Sequence, residues 1–206
     1  MAAIVEVRRL ERRGVVLEAF GIAYNLLEGA LSIGAGVLAG SVALVGFGAD
    51  SAIEVSASVV VLVHLLRRDG DRQAAWEGRL AVFVGFTMLA LAAYVAGRAV
   101  YDLVTQSEPD ESYLGIGIAA ASVVAMPVLS RMKHDIAHKI GSRALEAESR
   151  ETLVCSYLSA ALLIGLAANA ALGWWWADPV AALVMVGLIT REGWEAVTRR
   201  ELCCVD

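Results

Sequence analysis

Residues 41–66 have the sequence SVALVGFGADSAIEVSASVVVLVHLL, and this stretch decides the fold class. It is long and apolar enough to cross a bilayer as a helix, since a hydrocarbon core of about 30 Å needs roughly 20 apolar residues. Two carboxylates, Asp50 and Glu54, lie inside it without a basic residue beside them. Acidic side chains within a membrane span are costly and usually mark a functional site. The segment therefore predicts a membrane helix that carries a cation site.

The remainder of the chain has the same character. The 206 residues are 58% hydrophobic and 19% charged. Apolar segments lie at about residues 14–38, 41–66, 80–104, 113–129, 144–172 and 174–197. Hydropathy alone starts the fifth near Leu153, and the repeat described below moves its start to residue 144. We therefore expect an all-α membrane protein with six transmembrane helices, forming a single transmembrane domain over residues 1–206 without a soluble domain.

Basic residues are concentrated in alternate connectors between these segments. The N-terminus, the second-to-third connector, the fourth-to-fifth connector and the tail all carry them, and the other three connectors contain none. Because basic connectors stay in the cytoplasm, this pattern predicts cytoplasmic N and C termini in a multi-pass protein of a bacterial-type cytoplasmic membrane. The basic residues are Arg8, Arg9, Arg12, Arg13, Arg67, Arg68, Arg72, Arg79, Arg131, Lys133, Lys139, Arg143, Arg199 and Arg200.

Asp50 and Glu54 are four residues apart, so both project from one face of the helix about one turn from each other. Two ionised carboxylates in a dry membrane interior are strongly destabilising unless they share a proton, bind a cation or face water. A cation site meets this need directly, and the alternative is a buried pair satisfied by hydroxyl and backbone groups. In the first helix, Asn25 and Glu28 share a face that either lines a pathway or packs against the second helix.

An internal repeat supplies partners for this pair. At an offset of 101 residues, the sequence GSVAL at 40–44 aligns with GSRAL at 141–145. Under the same offset Asp50 aligns with Glu151, and Glu54 aligns with Cys155. Helices 2 and 5 run in opposite directions in the predicted topology, so this is an inverted repeat, and transporters commonly build midplane sites between such halves.

The aligned residues form a candidate ligand set of three carboxylates and one thiol. Four ligands that include sulfur suit tetrahedral Zn²⁺ and argue against Mg²⁺ or Ca²⁺. Zinc is therefore the first choice as the bound ion. Cadmium, manganese, iron and cobalt stay open, because three oxygen ligands also suit several of these metals.

These motifs resemble those of the cation diffusion facilitators. The stretch LAGSVAL at 38–44, followed by ADS at 49–51, is similar to that family's helix 2 signature, and AESRE at 147–151 with Cys155 is similar to its helix 5 signature. The sequence WWWADP at 174–179 resembles its entry to helix 6, and Asn25 resembles a polar position in its helix 1.

The resemblance implies a secondary transporter, not an enzyme, that exports zinc or another divalent metal in exchange for protons by alternating access. The metal ligands would be Asp50, Glu54, Glu151 and Cys155, with Glu148 as a pathway candidate beside Asn25 and Glu28. A homodimer within the bilayer is also implied, and Gly85 and Gly97 of helix 3 offer small residues for close packing. A non-transporting membrane metal-binding or scaffold protein is the first alternative, and an exporter of manganese, iron or cobalt is the second.

Two further pairs are accessory metal candidates. His134 and His138 have helical metal-ligand spacing in the predicted cytoplasmic linker, although a solvated amphipathic linker explains them equally well. Cys203 and Cys204 lie near the end of the chain, where they would collect soft metal ions. The sequence contains no phosphate-binding loop or hydrolytic motif. Its basic residues flank predicted membrane spans, so we expect no nucleic-acid partner.

Overall fold

The computed structural model describes residues 2–66 and 70–199, and within these ranges all regular structure is helical. The prediction of an all-α protein with six helices is confirmed. Five of the helices are long and apolar enough to cross a membrane. The other, α6, does not meet the same criterion because it carries Asp178, Arg191, Glu192 and Glu195. The helices are α1 (Ala2–Ala39), α2 (Val42–Leu66), α3 (Gly70–Thr105), α4 (Tyr113–Ile140), α5 (Arg143–Leu172) and α6 (Ala177–Arg199).

Helix α4 extends well beyond the end that hydropathy predicts near residue 129. It continues to Ile140, and only Gly141 and Ser142 separate it from α5. The predicted cytoplasmic linker is therefore mostly helix. Lys133 within it is 1% exposed, so its prediction as a basic connector residue is wrong. The reason is that its ammonium group lies against carboxylates of two other helices.

The two halves of the predicted repeat begin with matching turns. Gly40 and Gly141 both adopt the left-handed conformation with φ of 68°, which glycine accepts without a Cβ clash. The serine after each glycine caps the following helix, because its Oγ accepts the backbone N–H three residues on, at 3.1 Å for Ser41 and 3.3 Å for Ser142. The N–H of each serine also donates to the carbonyl five residues earlier at 3.0 Å. The sequence repeat thus corresponds to a repeat of local structure.

The helices pack as three main pairs, α1 with α2, α4 with α5, and α3 with α6. A carboxylate of α6 fixes the start of α2. Asp178 accepts hydrogen bonds from Ser41 Oγ at 2.5 Å and from the N–H of Val42 at 3.1 Å. A negative charge at a helix N-terminus is favourable because it faces unsatisfied N–H groups and the positive end of the helix dipole. This anchor brings α6 beside α2, where the candidate site lies.

Of the two glycines of α3 named above, Gly85 packs against another helix of the same chain and Gly97 does not. A Cβ at Gly85 would lie 2.7 Å from the carbonyl oxygen of Gly193, so Gly85 permits the close contact between α3 and α6. A Cβ at Gly97 would meet nothing within 4 Å. The same helix contains an ion pair, with 3.3 Å between Arg98 Nη2 and Asp102 Oδ1. Of the two glycines Gly85 and Gly97, it is Gly97 that is open for packing against another molecule.

Candidate metal site

A small cavity lies where α2, α3, α5 and α6 meet, and its polar wall contains the residues singled out by the repeat. Asp50 and Glu54 of α2 line one side, and Glu151 and Cys155 of α5 line another. The rest of the wall is mainly apolar and consists of Ile53, Ala57, Val84 and Met88, with Glu192 as a further acidic residue. The structure thus brings all four predicted ligands to one cavity.

The carboxylates of α2 have acceptor capacity that the protein does not use. Asp50 is 5% exposed and Glu54 is 8% exposed. Asp50 Oδ1 and both carboxylate oxygens of Glu54 are buried without a hydrogen-bond partner in the described part of the chain. Buried polar atoms are nearly always hydrogen-bonded, because leaving one unsatisfied costs about 1–3 kcal/mol. A proton or a cation in the cavity would supply the missing interaction.

The side chains share a cavity but do not form a closed coordination shell. Within residues 2–66 and 70–199, no three His, Cys, Asp or Glu side chains are arranged to hold a metal ion as they stand. Coordination to Zn²⁺ requires oxygen or sulfur atoms at about 2.0–2.3 Å. The side chains must therefore close around an ion that enters, and the role of these four residues as ligands stays a prediction.

The two polar residues predicted to share a face of α1 have different surroundings. Asn25 lies near the Glu54 carboxyl group, and its Oδ1 has no hydrogen-bond partner among the described residues. Glu28 does not line the cavity, because its carboxylate accepts hydrogen bonds from Ser51 Oγ at 3.1 Å and from Ser122 Oγ. Glu28 thus joins α1 to α2 and α4, whereas Asn25 adjoins the cavity.

A buried ion-pair network lies beside the cavity. Lys133 Nζ of α4 is 2.5 Å from Glu148 Oε1 of α5 and 3.4 Å from Glu18 Oε1 of α1. Ser58 of α2, one turn beyond Glu54, donates a hydrogen bond to Glu148 at 2.6 Å. Four helices therefore meet around a single ammonium group. Glu148, predicted as a pathway residue, lies in this network and not in the cavity wall.

A comparison with protein-family models identifies the family of the chain. Residues 19–198 match the model described as the cation efflux transmembrane domain. The chain belongs to the cation efflux family. This cation efflux protein is accordingly a multi-pass membrane transporter of metal cations and not an enzyme. The comparison with curated proteins gives no match.

Of the two accessory pairs in the cation efflux protein, the histidine pair lies away from the cavity. His134 and His138 are exposed near the end of α4 and do not line it. Cys203 and Cys204 lie outside the residues that the structure describes. Nothing in the described geometry joins either pair to the candidate site, and their roles stay predictions.

The cation efflux protein also has a cavity residue that the sequence reasoning missed. Glu192 of α6 lines the same cavity as the predicted ligands. A signal was present in the spacing of α6, because Glu192 lies three residues after Ile189 and seven after Met185, both of which are fully buried. This helical period places Glu192 on the inner side of α6. The residue lacks a counterpart among the aligned residues of the repeat, which is why the repeat did not reveal it.

Proposed function

We propose that this cation efflux protein exports zinc in exchange for protons by alternating access. The observation that carries the proposal is the cavity that α2 and α5 share, with Asp50 and Glu54 on one helix and Glu151 and Cys155 on the other. These residues occupy equivalent positions in an inverted repeat. A site between two such halves is suited to opening toward either side, because transporters of this kind move one half against the other around it.

The donor atoms of the cavity favour zinc as the cargo. Zn²⁺ binds carboxylate oxygens and cysteine sulfur in four-coordinate sites, and a sulfur ligand disfavours Mg²⁺ and Ca²⁺. Cadmium shares the preference for sulfur, whereas manganese, iron and cobalt are compatible with the three carboxylates. Zinc is the ion that uses the whole set of Asp50, Glu54, Glu151 and Cys155.

The same ligands explain the proposed coupling to protons. Carboxyl and thiol groups must lose their protons before they bind a metal, so metal binding releases protons and metal affinity falls as pH falls. An ion that enters from the cytoplasm would displace protons from the cavity. Reprotonation from a more acidic exterior would then release the ion outward.

The relative placement of the helix ends supports the proposed orientation. A Cβ at Gly14, near the start of α1, would lie 3.6 Å from side-chain atoms of Leu65, Ile136 and Leu145. The first part of α1, the ends of α2 and α4 and the start of α5 therefore lie together at one end of the bundle. By the positive-inside rule this end, with both termini, belongs in the cytoplasm. We also propose a homodimer that uses the open face of α3 around Gly97.

The function is tested by ion flux in proteoliposomes. The wild-type protein should move Zn²⁺ with opposite proton movement, reported by zinc-sensitive and pH-sensitive dyes. Cys155→Ser should lower Zn²⁺ and Cd²⁺ flux by about tenfold or more, since even outer-shell changes cost metal sites 10–100-fold, and it should affect Mn²⁺ flux less. Ser159→Ala, one turn farther along α5, is the matched control. Zinc binding without flux or proton movement would instead identify a non-transporting metal-binding protein.

A further inference from the structure

Glu192 is an acidic side chain in the cavity wall whose presence the helix packing does not explain. It lies next to Gly193, at the close contact between α3 and α6. No hydrogen bond or ion pair joins Glu192 to another described residue, whereas the adjacent Arg191 pairs with Glu195 at 3.2 Å. Glu192 is half-buried, so its carboxylate loses part of its hydration without gaining a partner, which is unfavourable. Its position is therefore better explained by a cation in the cavity than by packing.

The residues of α2 in the same cavity give independent support for a ligand at this place. Asp50 and Glu54 are more than nine-tenths buried, line the same cavity, and have oxygen atoms without hydrogen-bond partners in the described ranges. With Glu192 included, the cavity presents four carboxylates and one thiol, and no imidazole. Carboxylate oxygens suit Mn²⁺, which prefers six oxygen ligands, better than they suit Zn²⁺.

We infer that Glu192 is a further metal ligand of the transport cavity and that its carboxylate enables the site to hold Mn²⁺ as well as Zn²⁺. This inference rests on the proposed function. It brings a third helix, α6, into contact with the cargo. A site closed by α2 and α5 alone offers three carboxylates and one thiol, whereas the carboxylate from α6 adds up to two further oxygen ligands for an ion that prefers six.

Equilibrium binding of Mn²⁺ and Zn²⁺ to the detergent-purified full chain tests this inference, with flux measured separately. Glu192→Gln keeps the side-chain shape and removes a half-buried charge, so the protein should fold. We expect Mn²⁺ affinity to fall by about tenfold or more, and Zn²⁺ affinity to fall much less. Glu195→Gln, on the same helix but outside the cavity wall, should leave both affinities unchanged.

The results separate this inference from the proposed function. The inference is overturned if the wild-type protein does not bind Mn²⁺, or if Glu192→Gln leaves the ratio of Mn²⁺ to Zn²⁺ affinity unchanged. The proposed function fails if neither ion crosses the membrane, whatever the binding data show. Binding that depends on Glu192 without flux would therefore support the ligand and reject the transport proposal.

A different observation concerns a large groove between α1 and α4 on the outer surface. Its wall is mainly apolar, and Val16, Phe20, Val124 and Val128 are each more than half exposed. Both helices are long and apolar enough to cross a membrane, so we expect this wall to face the bilayer interior. One end of the groove is cationic, with four basic residues and one acid, namely Arg9, Arg12, Arg13, Lys139 and Asp135.

The charge pattern of the groove matches one kind of occupant. Basic clusters at the end of membrane helices attract anionic headgroups, and basic pockets between such helices bind acidic phospholipids. The apolar wall leads directly from this cluster into the membrane span, as an acyl chain requires. We propose that the groove binds an anionic phospholipid, with its phosphate against the arginines and Lys139 and an acyl chain along Val16, Phe20 and Val128.

Native mass spectrometry of the purified chain, titrated with phosphatidylglycerol or phosphatidylcholine, tests this site. The wild-type protein should bind phosphatidylglycerol more tightly than phosphatidylcholine. In the triple variant Arg9→Gln, Arg13→Gln, Lys139→Gln, the ratio of the two affinities should fall by about fivefold for each residue replaced, because each basic side chain contributes about 1 kcal/mol. Val128→Trp should fill the groove and reduce binding, whereas Ile164→Trp at an exposed site of α5 should not. Equal affinity for the two lipids, unchanged binding to Val128→Trp, or a disulfide between two copies of Val128→Cys would overturn the proposal.

Discussion

Asp50→Asn is expected to abolish metal transport while the protein stays folded. Asp50 lines the cavity, is 5% exposed and has an unpartnered carboxylate oxygen. Asparagine has nearly the same shape but lacks the negative charge that binds a divalent ion and the acid group that carries a proton. Changes in the outer shell of a metal site cost 10–100-fold, so loss of a direct ligand should lower the flux by about 100-fold or more.

Zinc uptake into proteoliposomes, measured over a range of zinc concentrations, checks this expectation. Asp110→Asn is the matched control, because Asp110 is exposed in the connector between α3 and α4. Thermal unfolding should show that Asp50→Asn is no less stable than the wild type, since the substitution removes a buried charge that lacks a partner. Wild-type flux in Asp50→Asn would contradict the assignment of the cavity as the transport site.

Lys133→Met is expected to lower the free energy of unfolding by about 3–5 kcal/mol, the usual cost of removing one partner from a buried ion pair. The substitution leaves Glu18 and Glu148 buried without their shared cation. Thermal or denaturant unfolding in detergent measures the loss. Arg131→Met is the matched control, because Arg131 lies on the same helix and is exposed.

A combined variant separates the ion pair from simple packing. Adding Glu18→Gln and Glu148→Gln to Lys133→Met removes all three charges, so much of the lost stability should return, because a neutral set of buried groups avoids the cost of unpaired charge. If Lys133→Met is as stable as Arg131→Met, the network around Lys133 does not hold the four helices together. If the combined variant is no more stable than Lys133→Met, the loss comes from packing instead.

Hydropathy was sufficient to predict the number and type of helices, but it did not predict where α4 ends. Arg131, Lys133 and Lys139 lower the local hydropathy, so the sequence predicts a linker after residue 129. In the structure, Glu18 and Glu148 neutralise Lys133, and they lie 115 and 15 residues away along the chain. A local pattern contains no information about such partners. The start of α5 was predictable, because the repeat sets it by comparison with the start of α2.

Most of the candidate site could also be predicted from the sequence, but one of its residues could not. The spacing of Asp50 and Glu54 on one helix, and the offset that aligns them with Glu151 and Cys155, predicted four residues that now line one cavity. Glu192 was missed because α6 has no place in the comparison of α2 with α5. Its contribution depends on how closely α3 and α6 approach at Gly85 and Gly193, which is a property of the folded chain.

The matching turns at Gly40 and Gly141 have a geometric consequence for the depth of the cavity. They lie at opposite ends of the helix bundle, and each is followed ten residues later by a cavity carboxylate, Asp50 or Glu151. Ten helical residues span about 15 Å, or half the thickness of a bilayer core. Two equal stretches of ten residues, one from each end of the helix bundle, thus set the depth of the cavity within the bundle. A residue inserted into either stretch would turn that carboxylate by about 100° around its helix and away from its counterpart.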